Sequence, residues 1–109
     1  MSMRGRIVDA IRKIPRGKVS TYGGIARAAG YPRHSRLVAK TLNGAFDLPW
    51  QRILGAGGGI KLRGDYAIEQ RLRLEAEGVT FRGRRVDMKK HEFQFAKAKK
   101  KKSKKRAKS

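Results

Sequence analysis

The chain has 109 residues, of which 29 are lysine or arginine and 8 are aspartate or glutamate, so its formal net charge is +21. This charge favours a polyanionic partner, most simply nucleic acid, with an anionic membrane surface or a ribosomal RNA as alternatives. The absence of cysteine excludes disulfides, thiolate metal sites and a thiol nucleophile. Because the two histidines are far apart and no apolar run reaches the ~20 residues of a membrane span, we expect no metal, no cofactor and no membrane partner. The sequence thus predicts a monomeric, cytoplasmic, nucleoid-associated protein.

The charge divides the chain into two parts. Residues 1–88 carry a net charge of +11 and enough apolar residues for one small domain. Residues 89–109 carry eleven lysines or arginines and a single acid, Glu92. Such a lysine-rich, low-complexity segment cannot bury enough apolar surface to fold, so it is predicted to be a disordered electrostatic anchor.

Apolar spacing predicts three short helices in the first half of the chain, over residues 4–14, 22–29 and 34–43. Ser20 or Thr21 is suited to cap the second helix by accepting a backbone N–H bond. Helices two and three are joined by a Gly-Tyr-Pro turn, an arrangement typical of a helix-turn-helix. Arg33, Arg36 and Lys40 leave the outer side of the third helix basic, which suits contact with DNA, although a solvated basic face would have the same pattern.

The second half is predicted to hold short strands and one longer helix. Residues 48–54 and 59–63 read as a β-hairpin around a glycine-rich loop, which either is a simple turn or adapts around a ligand. A helix over 66–77, capped by Asp65 and with Ile68 and Leu72 on its inner face, helped by Leu74, should end at Gly78. Residues 79–87 suggest a small terminal ribbon. The fold class is therefore mainly α with a small β-hairpin, similar to a winged helix-turn-helix.

Four segments in order resemble the DNA-binding domain of the O6-alkylguanine-DNA alkyltransferases. They are Ile14–Gly23 (IPRGKVSTYG), Ser35–Val38 (SRLV), Pro49–Arg52 (PWQR) and Glu75–Val79 (EAEGV). Together they cover roughly residues 5–80. In the enzymes the third segment holds the reactive cysteine, whereas here Trp50 takes its place. The resemblance is therefore strongest to the alkyltransferase-like proteins, which carry tryptophan at this position.

This resemblance implies the C-terminal domain fold of the alkyltransferases and a protein that is not an enzyme. Such a protein binds double-stranded DNA containing alkylated guanine, flips the base into a pocket, leaves the alkyl group in place and flags the lesion for nucleotide excision repair proteins. Tyr22 would press on the phosphate beside the lesion, and Arg36 would fill the gap left in the duplex. Trp50 would form a wall of the lesion pocket, Arg63 would lie over the flipped purine, and Gln51 would also belong to the pocket.

The same resemblance assigns contacts with the DNA backbone to residues around the helix-turn-helix, namely Ser20, Thr21, Arg33, Ser35 and Lys40. Two departures from the enzymes stand out: Gln51 replaces the histidine that activates the thiolate, and Glu77 is then expected to be only a helix-end residue. A basic nucleoid-associated or regulatory helix-turn-helix protein without lesion specificity is the alternative. An enzyme with another nucleophile is disfavoured, because no histidine or acid adjoins Trp50.

Overall fold

Three helices in the first half of the chain pack around a core rich in isoleucine. The computed structural model describes residues 2–45 and 47–95. Its first helices are α1 (Met3–Arg12), α2 (Tyr22–Ala28) and α3 (Ser35–Leu42), close to the predicted ranges. The core that they share contains Ile7, Ala10, Ile11, Ile14, Ile25, Ala26, Ala29, Val38, Leu48 and Ile53.

Helix α2 begins and ends at the positions that its sequence predicts. Thr21, rather than Ser20, supplies the cap, since its Oγ1 accepts a hydrogen bond of 2.9 Å from the Gly24 N–H. At the other end Gly30 adopts a positive φ of 93°. There the Tyr31 N–H donates to the Ala26 carbonyl, and the Gly30 N–H to that of Arg27. This Schellman arrangement turns the chain sharply towards α3.

The first strand pair joins segments that are distant in sequence. Strand β1 (Ser20–Thr21) runs parallel to β2 (Ile53–Leu54), with Ser20 opposite Ile53 and Thr21 opposite Leu54. The predicted hairpin between residues 48–54 and 59–63 is therefore wrong. Residues 50–52 and 56–58 form short 3₁₀ turns instead. Leu54 of β2 packs in a second core cluster beside β1, and Gly59 forms an isolated bridge with Arg85 rather than starting a strand next to β2.

The inward face of helix α4 (Asp65–Ala76) agrees with the prediction at Leu74 but not at Ile68 and Leu72. Ile68 and Leu72 are 61% and 60% exposed, whereas Gln70 and Leu74 are buried. Gln70 faces inwards because its Nε2 donates to the carbonyls of Gln51 (3.0 Å) and Ile53 (2.9 Å). The predicted Asp65 cap is also wrong: helix α4 starts after Gly64, and no side chain makes a cap bond there.

A hairpin does occur, further along the chain. Strands β3 (Phe81–Arg82) and β4 (Arg85–Val86) pair antiparallel and match the small ribbon predicted for residues 79–87. Val86 joins the second core cluster, which otherwise contains Val19, Leu54, Leu74 and Val79. The mainly helical fold class with short strands is thus confirmed.

The domain continues past residue 88, where the sequence predicted that it ends. A short helix, α5 (Met88–His91), places His91 next to β1, and the Val19 N–H donates to the His91 carbonyl at 2.9 Å. The Phe93 N–H returns a bond of 2.8 Å to the Val19 carbonyl. Phe93 and Phe95 then pack against the helical core. Of the predicted disordered segment, residues 96–109 lie outside the described residues.

Candidate nucleic-acid interface

A cavity of about 430 Å³ lies between the α2–α3 pair and the start of α4. Three aromatic rings and several aliphatic groups form most of its lining, and two side chains, Lys40 and Asn43, are polar. The complete lining is Tyr22, Ala39, Lys40, Leu42, Asn43, Gly44, Trp50, Leu62 and Tyr66. A largely apolar cavity with a few polar groups suits a flat, partly apolar ligand.

Trp50 forms a wall of this cavity and is itself only 9% exposed. Its ring meets Tyr66 edge-to-face, with the ring centroids 6.3 Å apart and the planes at 86°. The Arg73 guanidinium lies 5.3 Å from the Trp50 ring centroid, at cation–π distance. Arg73 is held in turn by an ion pair with Glu69. The ring is thus fixed by contacts from two residues of α4.

Tyr22 begins α2 and contributes its half-buried ring to the same cavity. Burial raises the pKa of the Tyr22 hydroxyl above its ordinary value of 10. The phenol therefore stays protonated at neutral pH and is available as a hydrogen-bond donor. A neutral O–H donor at the mouth of a cavity on a basic protein is suited to a phosphate oxygen.

The basic side chains predicted to contact DNA mostly lie on the exposed side of α3. Lys40 borders the cavity, and Arg36 lies one helical turn earlier on the same face because the two are four residues apart. Arg33 and Ser35 are exposed at the start of α3. Ser20 differs, since it is only 2% exposed, and the predicted contact of its side chain with DNA is not supported.

Gln51 does not line the cavity. Its Nε2 donates to Glu77 Oε2 at 2.8 Å, and its backbone carbonyl accepts a bond from Gln70. Arg52 donates two hydrogen bonds to the same carboxylate, from Nε at 3.0 Å and from Nη2 at 2.9 Å. Its Nη1 donates to the Ile14 carbonyl. The sequence predicted that Glu77 is only a helix-end residue. In the structure it joins the end of α4 to the turn that carries Trp50.

The electrostatics of Glu77 follow from this network. Burial by itself would raise the pKa of its carboxyl, but hydrogen bonds from Arg52 and Gln51 and the positive charges of Arg52 and Arg16 outweigh that effect. The net result is a lowered pKa for Glu77. The carboxylate is therefore ionised and fully occupied by its partners at neutral pH.

Arg63 is exposed and lies next to Leu62 in the chain, but it does not contribute to the cavity lining. Sequence reasoning missed Tyr66 and Arg73, which contact Trp50, and Leu62, which lines the same cavity. Tyr66 had a detectable signal, since it is an aromatic residue in the first turn of a predicted helix, sixteen residues after Trp50. Its contact with Trp50 follows from the orientation of α4, which the apolar spacing predicted incorrectly.

Residues 2–45 and 47–95 do not form a metal site or a membrane span. No group of three or more histidine, aspartate or glutamate side chains is arranged there to hold a metal ion. No helix in the same part of the chain is long and apolar enough to span a bilayer.

Comparison with known proteins agrees with this geometry. Residues 2–79 match the family described as "6-O-methylguanine DNA methyltransferase, DNA binding domain". The chain is 46% identical over 77 residues to a DNA base-flipping protein of Vibrio parahaemolyticus, covering 68% of this chain and 77% of that protein. It is also 46% identical over 79 residues to alkyltransferase-like protein 1 of Schizosaccharomyces pombe, covering 68% and 73% of the two chains.

Solved structures show the same relationship. The crystal structure of S. pombe Atl1 in complex with damaged DNA containing O6-carboxymethylguanine matches with a TM-score of 0.72 and 30% identity, covering 84% of this chain and 94% of that chain. Mycobacterium tuberculosis O6-methylguanine methyltransferase matches with a TM-score of 0.58 and 32% identity, covering 71% of this chain and 48% of that one. The chain therefore belongs to the 6-O-methylguanine DNA methyltransferase DNA-binding domain family, as an alkyltransferase-like member without cysteine.

Proposed function

We propose that the protein binds duplex DNA carrying an O6-alkylated guanine, accepts the flipped base in the cavity between Tyr22 and Trp50, and leaves the alkyl group in place. The observation that carries this proposal is the position of Trp50. It occupies the reactive cysteine's place in the family pattern and forms a wall of a cavity of about 430 Å³. The likeness to a protein solved with damaged DNA supports the same conclusion.

Individual side chains are proposed to have the roles that the family resemblance implies, and the positions of Tyr22 and Arg36 support them. Tyr22, with its protonated hydroxyl at the cavity, would donate to the phosphate beside the lesion and favour rotation of the nucleotide. Arg36, exposed on α3 one turn from the cavity, would enter the duplex and bond the orphan cytosine with its planar guanidinium. Flipping costs a few kcal/mol and less at a weakened base pair, so an alkylated guanine, which pairs poorly, is selected.

Arg63 and the basic face of α3 would complete the contacts with DNA. Arg63 is exposed beside Leu62, from which its guanidinium would fold over the flipped purine as a cation–π partner. Arg33, Ser35 and Lys40 would contact the phosphates, which positions the protein without reading sequence. Gln51 would not touch the base, because its amide is held by Glu77.

The residues around Trp50 offer no route to alkyl transfer. The chain has no cysteine to accept the group. In the adjacent position the Gln51 amide is not a base, and Glu77 is engaged by Arg52 and Gln51. Since the lesion would persist on the DNA, we propose that the bound complex is recognised by nucleotide excision repair proteins, which remove it as part of an oligonucleotide.

The test is equilibrium binding at about 0.15 M salt to two short duplexes, one with a single O6-methylguanine and one with guanine, since salt at this level damps non-specific attraction. We expect at least a tenfold preference for the lesion, with the methyl group still on the DNA afterwards. Arg36→Ala should abolish this preference. The matched control is Arg33→Ala, at another exposed arginine. It should lower the affinity for both duplexes equally.

The second candidate function, a charge-driven nucleoid or regulatory protein, is favoured by the net charge of +21. Equal affinity of the unaltered protein for the two duplexes would refute lesion recognition and establish this alternative. Loss of the methyl group from the DNA would refute the absence of chemistry.

A further inference from the structure

We propose that Tyr66 makes the cavity selective for O6-alkyl groups that are extended and apolar, aromatic groups above all. This inference rests on the proposed function and names the class of lesion that this chain prefers. It assigns to Tyr66 a direct contact with the alkyl group, and it separates that contact from the part of the cavity that would hold the purine.

Much of the Tyr66 side chain is exposed beside the cavity. The residue lies in the first turn of α4 and is 54% exposed, although it lines the cavity. Among the residues that the structure describes, its ring contacts that of Trp50 edge-to-face, with the ring centroids 6.3 Å apart. A partly exposed tyrosine ring in contact with Trp50 offers aromatic surface to a ligand in the cavity.

The alkyl group of a bound guanine would point towards this surface. In the alkyltransferase pattern, the residue at position 50 is the one that receives the alkyl group, so the group must be directed towards that residue. Here Trp50 blocks the approach, and the aromatic ring in contact with Trp50 is that of Tyr66. A methyl group is short and ends near Trp50. A longer or aromatic group has to continue past it, where Tyr66 and Leu62 form the cavity wall.

The two polar side chains of the cavity, Lys40 and Asn43, come from a different element from Tyr66. Lys40 belongs to α3 and Asn43 follows that helix directly, whereas Leu62 and Tyr66 belong to the start of α4 and the segment before it. An anionic alkyl group such as carboxymethyl would therefore pair with Lys40 and gain little from Tyr66. Removal of the Tyr66 ring should therefore lower the affinity for apolar alkyl groups more than the affinity for an anionic one.

The experiment compares the full chain with Tyr66→Ala, Tyr66→Phe and Leu72→Ala. Five otherwise identical duplexes carry guanine or its O6-methyl, O6-carboxymethyl, O6-butyl or O6-benzyl derivative, and affinities are measured by competition anisotropy at about 0.15 M salt. Leu72 is the matched control, because it lies on the same helix, is 60% exposed and borders a different cavity.

We expect Tyr66→Ala to weaken binding of the benzyl and butyl lesions about three- to tenfold, the range for removal of one aromatic ring from a ligand's surroundings, and the methyl and carboxymethyl lesions less than about twofold. Tyr66→Phe keeps the ring and should behave like the unaltered protein, as should Leu72→Ala. The emission of Trp50, the sole tryptophan of the chain, and denaturant unfolding show that each variant is folded.

The outcomes that contradict the inference differ from those that contradict the proposed function. An equal loss of affinity for all four lesions would make Tyr66 a structural support of Trp50, and unchanged affinity for every lesion would place the alkyl group elsewhere. If Tyr66→Ala does not fold, Tyr66→Gln, which preserves length but not the ring, must show the same selective effect. A failure of the unaltered protein to prefer any lesion over guanine would instead refute lesion recognition itself.

Discussion

Glu77 accepts hydrogen bonds that connect distant parts of the fold. Its carboxylate receives bonds from Gln51 and from two nitrogens of Arg52, and its side chain is only 7% exposed. Since Arg52 also binds the Ile14 carbonyl, the network links α1, the Trp50 turn and the end of α4. Removal of one partner would leave a buried charge without compensation, which is costly.

We therefore expect Glu77→Gln to lower the free energy of unfolding at pH 7 by about 2–4 kcal/mol. The difference from the unaltered protein should depend on pH with a defined sign. Because folding lowers the pKa of Glu77, its stabilisation is complete above the unfolded-state pKa of about 4.3 and disappears as the pH falls through the lowered value. Denaturant unfolding between pH 7 and pH 3 should show the unfolding free energies of Glu77→Gln and the unaltered protein approach each other as the pH falls.

The control for this prediction is Glu69→Gln. Glu69 pairs with Arg73 on the surface, where both side chains are about half exposed, so its replacement should cost only about 0.5 kcal/mol. A pH-independent difference between Glu77→Gln and the unaltered protein would show that the effect comes from packing rather than from the charge.

At single positions the sequence located the site but not the orientation of its side chains. Tyr22, Trp50 and Lys40 do meet at one cavity. Gln51 was assigned to that cavity because it adjoins Trp50, yet the 3₁₀ turn directs its amide towards Glu77. Ser20 is buried because β1 pairs with β2 there. Both differences depend on contacts with residues more than twenty positions away, which a local pattern does not contain.

Among the elements, the glycine-rich turn is the most constrained. It is neither a hairpin loop nor a loop of the described cavity, since Gly58 is buried against β4 with a φ of 91°. A Cβ at Gly58 would lie 2.8 Å from the Val86 carbonyl oxygen. At Gly59 φ is −83°, and a Cβ there would meet no atom within 4 Å.

Gly58→Ala should accordingly destabilise the fold by about 2 kcal/mol or more, because the left-handed backbone and the contact with Val86 add together. Gly59→Ala should be neutral or slightly stabilising, since it only restricts the unfolded chain. Thermal and denaturant unfolding of the two variants provide the comparison. Equal destabilisation would mean that the turn does not hold this conformation in solution.

The helices and the β3–β4 ribbon were predictable where the signal was local, but the parallel pair β1–β2 was not. Ser2 caps α1, Thr21 caps α2 and Gly30 follows the end of α2, each within a few residues of its helix. Strand β1 has only two residues and pairs with a strand 33 positions away. It is therefore too short to show an alternating apolar–polar pattern in the sequence. In α4 the inward face includes Gln70, a polar residue that satisfies two backbone carbonyls, and apolar periodicity gives the wrong face in such a case.

For the whole molecule, the end of the domain decides how the basic segment acts. Residues 89–95 contribute the pairing of Val19 and the packing of Phe93 and Phe95, so they belong to the folded body. His91 strengthens this attachment: its Nε2 accepts the Thr80 N–H at 2.9 Å, and its Nδ1 lies 3.1 Å from the Gly17 carbonyl. Only residues 96–109 can therefore be removed without disturbing these contacts.

Removal of residues 96–109 deletes nine lysines or arginines and should leave the unfolding free energy and the lesion preference unchanged. Overall DNA affinity should fall and become less dependent on salt, by about 0.9 in the logarithmic slope for each phosphate that is no longer neutralised. Titrations at several salt concentrations with both duplexes test this. If the shortened protein no longer preferred the lesion, the lysine-rich segment would contribute to lesion recognition and not only to general DNA affinity.

Removal of residues 89–109 should have a different result. It deletes His91, Phe93 and Phe95 as well and should destabilise the fold by at least about 3 kcal/mol, the order expected for two partly buried aromatic residues. If this shorter chain unfolds at the same denaturant concentration as the chain ending at residue 95, the C-terminal segment is not part of the core.

The outward stripe of α4, Ile68 and Leu72, has a consequence for solubility. At low ionic strength the charge of +21 keeps molecules apart, and exposed apolar groups of neighbouring molecules seldom meet. Near 1 M salt the Debye length falls to about 3 Å, and this repulsion disappears while apolar attraction remains. Solubility should thus decrease as salt rises, and Ile68→Ser with Leu72→Ser should restore it, as precipitation curves would show.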